Sequence, residues 1–141
     1  MHERSRTTIA LSIGVAALVA GGAAVSAAGL DRSLIGAWTA SPQDCNKLFQ
    51  RQGGAIGYRQ PVDKFAQAAI IEPGRIVTPS SICQVLGVTS GQGALKIGAE
   101  CRDSISFTHV TAYAKISADG QMTYSPTGDP GLATTLTRCK L

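Results

Sequence analysis

With 141 residues the chain has room for one domain, and thirteen Lys/Arg against nine Asp/Glu give it a net charge of +4. These basic residues are scattered along the chain instead of gathered on one stripe, which excludes the electrostatic footprint of a nucleic-acid binder. Apolar residues make up 44% of the chain and no repeat or low-complexity tract interrupts them, so a packed globular fold is expected.

Arg4 and Arg6 precede a stretch, Thr7 to Leu30, without a charged residue. Its apolar middle, IALSIGVAALVAGGAAV, ends in VSAAG. Basic, apolar and small-residue parts in this order predict a Sec-type signal peptide over 1–28, with Ser26 and Ala28, or Val25 and Ala27, as the small residues signal peptidase accepts. The competing reading is an N-terminal membrane anchor, since about 20 apolar residues can span a bilayer. Richness in Ala and Gly and the cleavage site favour removal. No Cys adjoins the site, and Ser5 separates Arg4 from Arg6, so neither lipoprotein processing nor the twin-arginine route is expected. Cleavage after Ala28 removes two Arg and one Glu and leaves Gly29–Leu141, 113 residues with a net charge of +3. That product is expected to be periplasmic or secreted, monomeric and without stable membrane insertion.

The chain's one Trp follows at Gly36-Ala37-Trp38. Ser41 can cap a helix, Pro42 suits its first position and Asp44 completes a capping box. A short helix is therefore predicted between Ser41 and Gly53, with Cys45, Leu48 and Phe49 on one face and Gly53 or Gly54 ending it. Beyond it the pattern changes to strands. In AIGYR, Ile56 and Tyr58 alternate with smaller or polar neighbours. Glu72-Pro73-Gly74-Arg75 suits a type II turn between two strands, and Ser90 to Gly93 separates two further β-like runs. SISFTHVTAYAKIS favours a long strand, and its apolar parity switches between Phe107 and Val110, which predicts a bulge near Thr108-His109. Asp119-Gly120 turns the chain into QMTY. The loop SPTGDPG then precedes a last strand, LATTLTRC.

Cys45, Cys83, Cys101 and Cys139 all lie in the exported part, an even number that reads as two disulfides. No CxxC spacing occurs, which leaves zinc without a ligand set, and no metal or cofactor is expected. If Gly91 to Gly93 form a three-residue hairpin loop, positions equidistant from Gln92 face each other, and Cys83 and Cys101 are such a pair. Cys45 is left to Cys139. Seven or eight short sequential strands suggest an antiparallel meander that removes its edges by closing into a barrel. Closure would pair the first strand, around Ala37 to Thr39, with the last, around Thr135 to Arg138. The Cys45–Cys139 bridge would reinforce that seam.

Gly36-Ala37-Trp38 resembles the Gly-x-Trp element that opens lipocalin-like barrels, and small bacterial protease inhibitors of similar barrel shape also place it before an early Cys. The chain as a whole resembles small exported proteins of Gram-negative bacteria. The resemblance implies a mainly β barrel in which Trp38 packs across the closed end.

Chemistry is sparse. After cleavage His109 is the sole histidine, with no GxSxG, HExxH or neighbouring Cys to work with. Glu100 and Asp103 read as solvated charges at a strand end, so no enzyme is expected. Two stretches remain as binding candidates: YRQPVDKF, with Tyr58, Arg59, Lys64 and Phe65, and YSPTGDPG, with Tyr124 and Asp129. Aromatics beside Arg anchor protein interfaces. The expected function is a non-enzymatic binding module for a protein or small-molecule partner. Its alternatives are a periplasmic inhibitor of a secreted protease or lysozyme, and a carrier of a small apolar ligand. A carrier needs an open apolar cavity of at least about 300 Å³.

Overall fold

The computed structural model describes residues 29–91 and 93–141. The signal peptide expected over 1–28 lies outside the described residues. Strand β1 (Gly36–Thr39) is followed by a 3-10 turn (Pro42–Asp44), a short helix α1 (Cys45–Leu48) and a hairpin of β2 (Phe49–Gln52) and β3 (Ala55–Tyr58). Then come β4 (Ala68–Glu72), β5 (Arg75–Val77), β6 (Ile82–Gly91), β7 (Ala94–Arg102), β8 (Phe107–Ile116) and β9 (Met122–Ser125). A second 3-10 turn (Pro130–Leu132) leads into β10 (Thr134–Arg138).

Eight of these strands form a closed antiparallel barrel, in the order β1-β10-β9-β8-β7-β6-β5-β4 and back to β1. The expected mainly β meander barrel with one short helix is thus the observed fold. Each neighbour is the next strand in sequence, except that β1 sits between the last strand and β4. Trp38 opposes Arg138 on one side and Ala69 on the other, so the seam closes where the first and last strands were expected to meet. Side chains alternate across each strand. In β8 the buried Ala112 and Ala114 alternate with the exposed Thr111 and Lys115. The interior core gathers Trp38, Ile71, Ile97, Ala114, Met122 and Leu136 together with Leu30 and Leu34 from the segment before β1. A second, smaller core lies outside the barrel wall, where Phe49 covers Ala37, Ala68, Ile70 and Cys139.

Five local expectations are corrected. The helix is one turn, because Phe49 leaves it to begin β2, and Ser41 makes no side-chain cap. Gly53 and Gly54, both at positive φ (56° and 86°), are the turn of the β2–β3 hairpin, a Gly-Gly pair in the conformation a tight hairpin demands. Gly74 does turn the chain between β4 and β5 but at no positive φ, so the turn is not type II. The β6–β7 tip is one residue tighter than expected, with Gly91 opposite Ala94, and a bulge between Val85 and Gly87 restores the register that puts Cys83 opposite Cys101. The bulge therefore falls on β6. Along β8 the pairing with β7 runs unbroken from Phe107 to Ala114, and Phe107 is an apolar side chain left exposed on the outer face.

Both expected disulfides form. Cys83–Cys101 spans β6 and β7 with 3.8 Å between Cα atoms. Cys45–Cys139 ties α1 to the end of β10 with 5.5 Å between Cα atoms. Two disulfides are what an oxidising, extracytoplasmic environment sustains.

Candidate functional site

The two ends of the barrel are built differently. Segment 29–35 crosses one end: the Leu30 amide donates to the Pro73 carbonyl (3.2 Å) in the β4–β5 turn, and Leu34 is fully buried. Below it Trp38 is also fully buried, its indole N–H donating to the Leu34 carbonyl at 2.7 Å. The Arg138 guanidinium lies 4.7 Å over the indole ring and donates to the Ser33 carbonyl. A large aromatic with its one polar atom satisfied, under a cation, makes a dry plug.

The opposite end holds a cavity of about 300 Å³. Its walls are Ile76, Ile97, Ala99, Val110, Ala112 and the Cys83–Cys101 disulfide, with Tyr124 and Pro126 on one side. The cause is legible in the register. Ile97 opposes Ala112, Ala99 opposes Val110, and Cys101 opposes Thr108. Above Ile97 the inward positions of β7 and β8 thus carry short side chains that do not reach the barrel axis.

The rim is polar: Thr78, Ser80 and Ser81 of the β5–β6 loop, Asp103 of the β7–β8 loop, and Thr108. Thr78 Oγ1 accepts from the Ser81 amide (3.0 Å) and shares a hydrogen bond with the Ser81 hydroxyl (2.9 Å), which holds the β5–β6 loop. Asp103 Oδ1 accepts from the amides of Ile105 (2.8 Å) and Ser106 (2.7 Å), and Oδ2 from the Ser106 hydroxyl (2.9 Å). These bonds, the Ile105 amide first, hold the Asp103 carboxyl below the usual carboxylate range. Tyr124 is half-buried against the cavity, and burial pushes its phenol up.

A shallower groove of about 420 Å³, mostly open to solvent, runs outside the same loop between Tyr58, Gln60 and Val62 on one bank and Ile82 and Arg102 on the other. It shares Thr78, Ser80, Ser81 and Asp103 with the cavity.

The six binding candidates read from sequence do not converge. The Tyr58 hydroxyl donates to the Val77 carbonyl (3.1 Å) while its ring packs on Phe49 (5.2 Å between centroids), and burial raises its phenol above the ordinary tyrosine range. Arg59 Nε donates to the carbonyls of Asn46 (2.7 Å) and Phe49 (3.1 Å). Both side chains tie the insert after β1 to itself and to the barrel wall. Lys64 is exposed and Phe65 is 96% exposed, facing a different part of the surface. Asp129 accepts from the Gly131 amide (2.8 Å) and caps the turn at Pro130–Leu132. Its loop is pinned by the Ser125 hydroxyl, which donates to the Asp129 carbonyl (3.0 Å), and by Gly128 against the Tyr113 ring. Gly128 has φ near 80°, and an added Cβ would sit 2.9 Å from that ring, so no other residue fits without movement. Of the six, only Tyr124 lines the cavity.

His109 is exposed on β8 opposite Glu100 and lines neither the cavity nor the groove. Among the described residues no group of three or more His, Cys, Asp or Glu is placed to hold a metal ion, and no helix is long and apolar enough to cross a membrane. Sequence reasoning read Asp103 only as a solvated charge and did not single out the small inward residues. The signal was alanine at inward positions of neighbouring strands, Ala99 in β7 and Ala112 in β8, which reads as ordinary strand until the register is known. Comparison with protein-family models, with curated proteins and with solved structures finds no match for this chain.

Proposed function

We propose that this chain is an exported, lipocalin-like carrier that takes the apolar body of a small molecule into the cavity above Trp38. The observation that carries the reading is an apolar cavity of about 300 Å³ at one end of a barrel whose other end is plugged. Ligand sites start at about this size and combine apolar walls with a few polar groups. The leader pattern over 1–28 and the two disulfides support export.

The test uses protein recovered from the exported fraction, where the chain is expected to begin at Ala28 or Gly29 by mass spectrometry. Titration with N-phenyl-naphthylamine, an apolar dye that brightens in a dry site, should give saturable binding. Val110→Trp, which fills the cavity from its wall, should abolish it, while Leu86→Trp on the exposed outer face should not. No saturable signal, or an equal one in Val110→Trp, defeats the carrier reading.

A second reading, inhibition of a secreted hydrolase, draws on Phe65, whose ring stands 96% exposed beside Lys64. A ring so placed is a candidate wedge. Loss of capture of a protease or lysozyme on Phe65→Ser, with dye binding intact, would favour it.

A further inference from the structure

We infer that the mouth of this cavity selects amphiphiles with a cationic amine head over those with a carboxylate head, through Asp103. The inference rests on the carrier reading and adds the chemical class of its ligand. Among the described residues lining the cavity Asp103 is the one charged side chain. Its neighbour Arg102 lines the outer groove and not the cavity, because Cys101 faces inward and strand neighbours alternate, while Asp103 borders both.

The Asp103 carboxylate is also pre-positioned. Two backbone amides and one hydroxyl fix it, so a bound ligand need not order it. Oδ2 receives a single donor, which leaves acceptor capacity for an ammonium N–H. An alkyl chain on the walls of Ile97, Ala99 and Val110 would bring its head to the rim, where Ser80 and Thr108 add neutral hydrogen-bonding groups. At this solvent-exposed rim a carboxylate head would meet a like charge and an ammonium an opposite one.

The sign separates this inference from general electrostatics. The mature chain carries a net charge of +3, so attraction to the molecule as a whole favours the carboxylate.

The experiment is displacement of the bound naphthylamine dye at neutral pH by octylamine, octanol and octanoate, which share one chain length. Octylamine should displace best and octanoate worst, with about a tenfold or larger gap between them. Asp103→Asn keeps the acceptor for the Ile105 and Ser106 amides and removes the charge. With displacement read against the variant's own dye affinity, it should collapse the amine to the level of the alcohol. Dye binding with equal displacement by amine and carboxylate overturns the inference and leaves the carrier reading standing. An amine preference that survives Asp103→Asn overturns it equally. Failure of the dye to bind removes both.

Discussion

Trp38 joins three parts of the chain at one ring: its indole N–H reaches the Leu34 carbonyl, its face carries Arg138, and it shares the interior core with Ile71 and Met122. Trp38→Ala should therefore cost about 3–5 kcal/mol, the usual range for a buried aromatic, out of a total near 5–15 for a domain of this size. Wild-type emission should be blue-shifted and poorly quenched by iodide. A red maximum with full quenching would contradict the plug. Tyr58 is the second residue with a measurable signature, because its phenol is buried and hydrogen-bonded to Val77. Burial raises its folded pKa above the unfolded value of about 10. The stabilisation from its neutral form is thus complete below about pH 10 and is lost as pH rises above it. Unfolding midpoints should fall in alkali, and Tyr58→Phe should flatten that limb while costing about 1 kcal/mol at neutral pH. An unchanged alkaline limb in the variant would assign the loss to another group.

At the scale of elements, the strands were legible and their ends were not. The Glu72–Arg75 and Asp119–Gly120 turns stand where turn chemistry predicts them. The helix after Ser41 was over-read, because Leu48 and Phe49 satisfy helical spacing and strand pairing alike, and Phe49 gains more by covering Ala37 and Ile70. The Gly53-Gly54 pair carried the correct signal, since two consecutive positive-φ residues suit a hairpin better than a helix end. The β6–β7 hairpin shows two errors of register that cancel: a tip one residue shorter and a bulge at Leu86 that gives the residue back. The pairing Cys83–Cys101 is met because both lie beyond the bulge. Replacing both by Ser should lower stability by about 3 kcal/mol, as closure of an 18-residue separation gives in the chain-entropy argument, whereas the 94-residue separation of Cys45–Cys139 should cost about 4–5. Denaturant midpoints of the two double variants check the order, and a larger loss at Cys83–Cys101 would reverse it.

For the whole molecule, barrel closure and the asymmetry of its ends have different origins. Sequential short strands, one Gly-x-Trp and an even set of cysteines bound the fold, because pairing the first strand with the last is how a meander of this length removes its edges altogether. The sequence by itself determined the barrel, its seam and the disulfide pairing, which follow from local alternation and chain order, while the burial of Trp38 is what the Gly-x-Trp resemblance implied. Only the tertiary structure decided which end is filled. Segment 29–35 has no periodic pattern, and it becomes a cap only when Leu30 meets Pro73 of the β4–β5 turn, with Leu34 held over Trp38. The cavity is likewise a property of opposed faces. Ala99, Val110 and Ala112 are unremarkable strand residues until the register sets their short side chains around one axis, with Asp103 at its mouth. Volume left empty by several strands at once has no signature in any one of them.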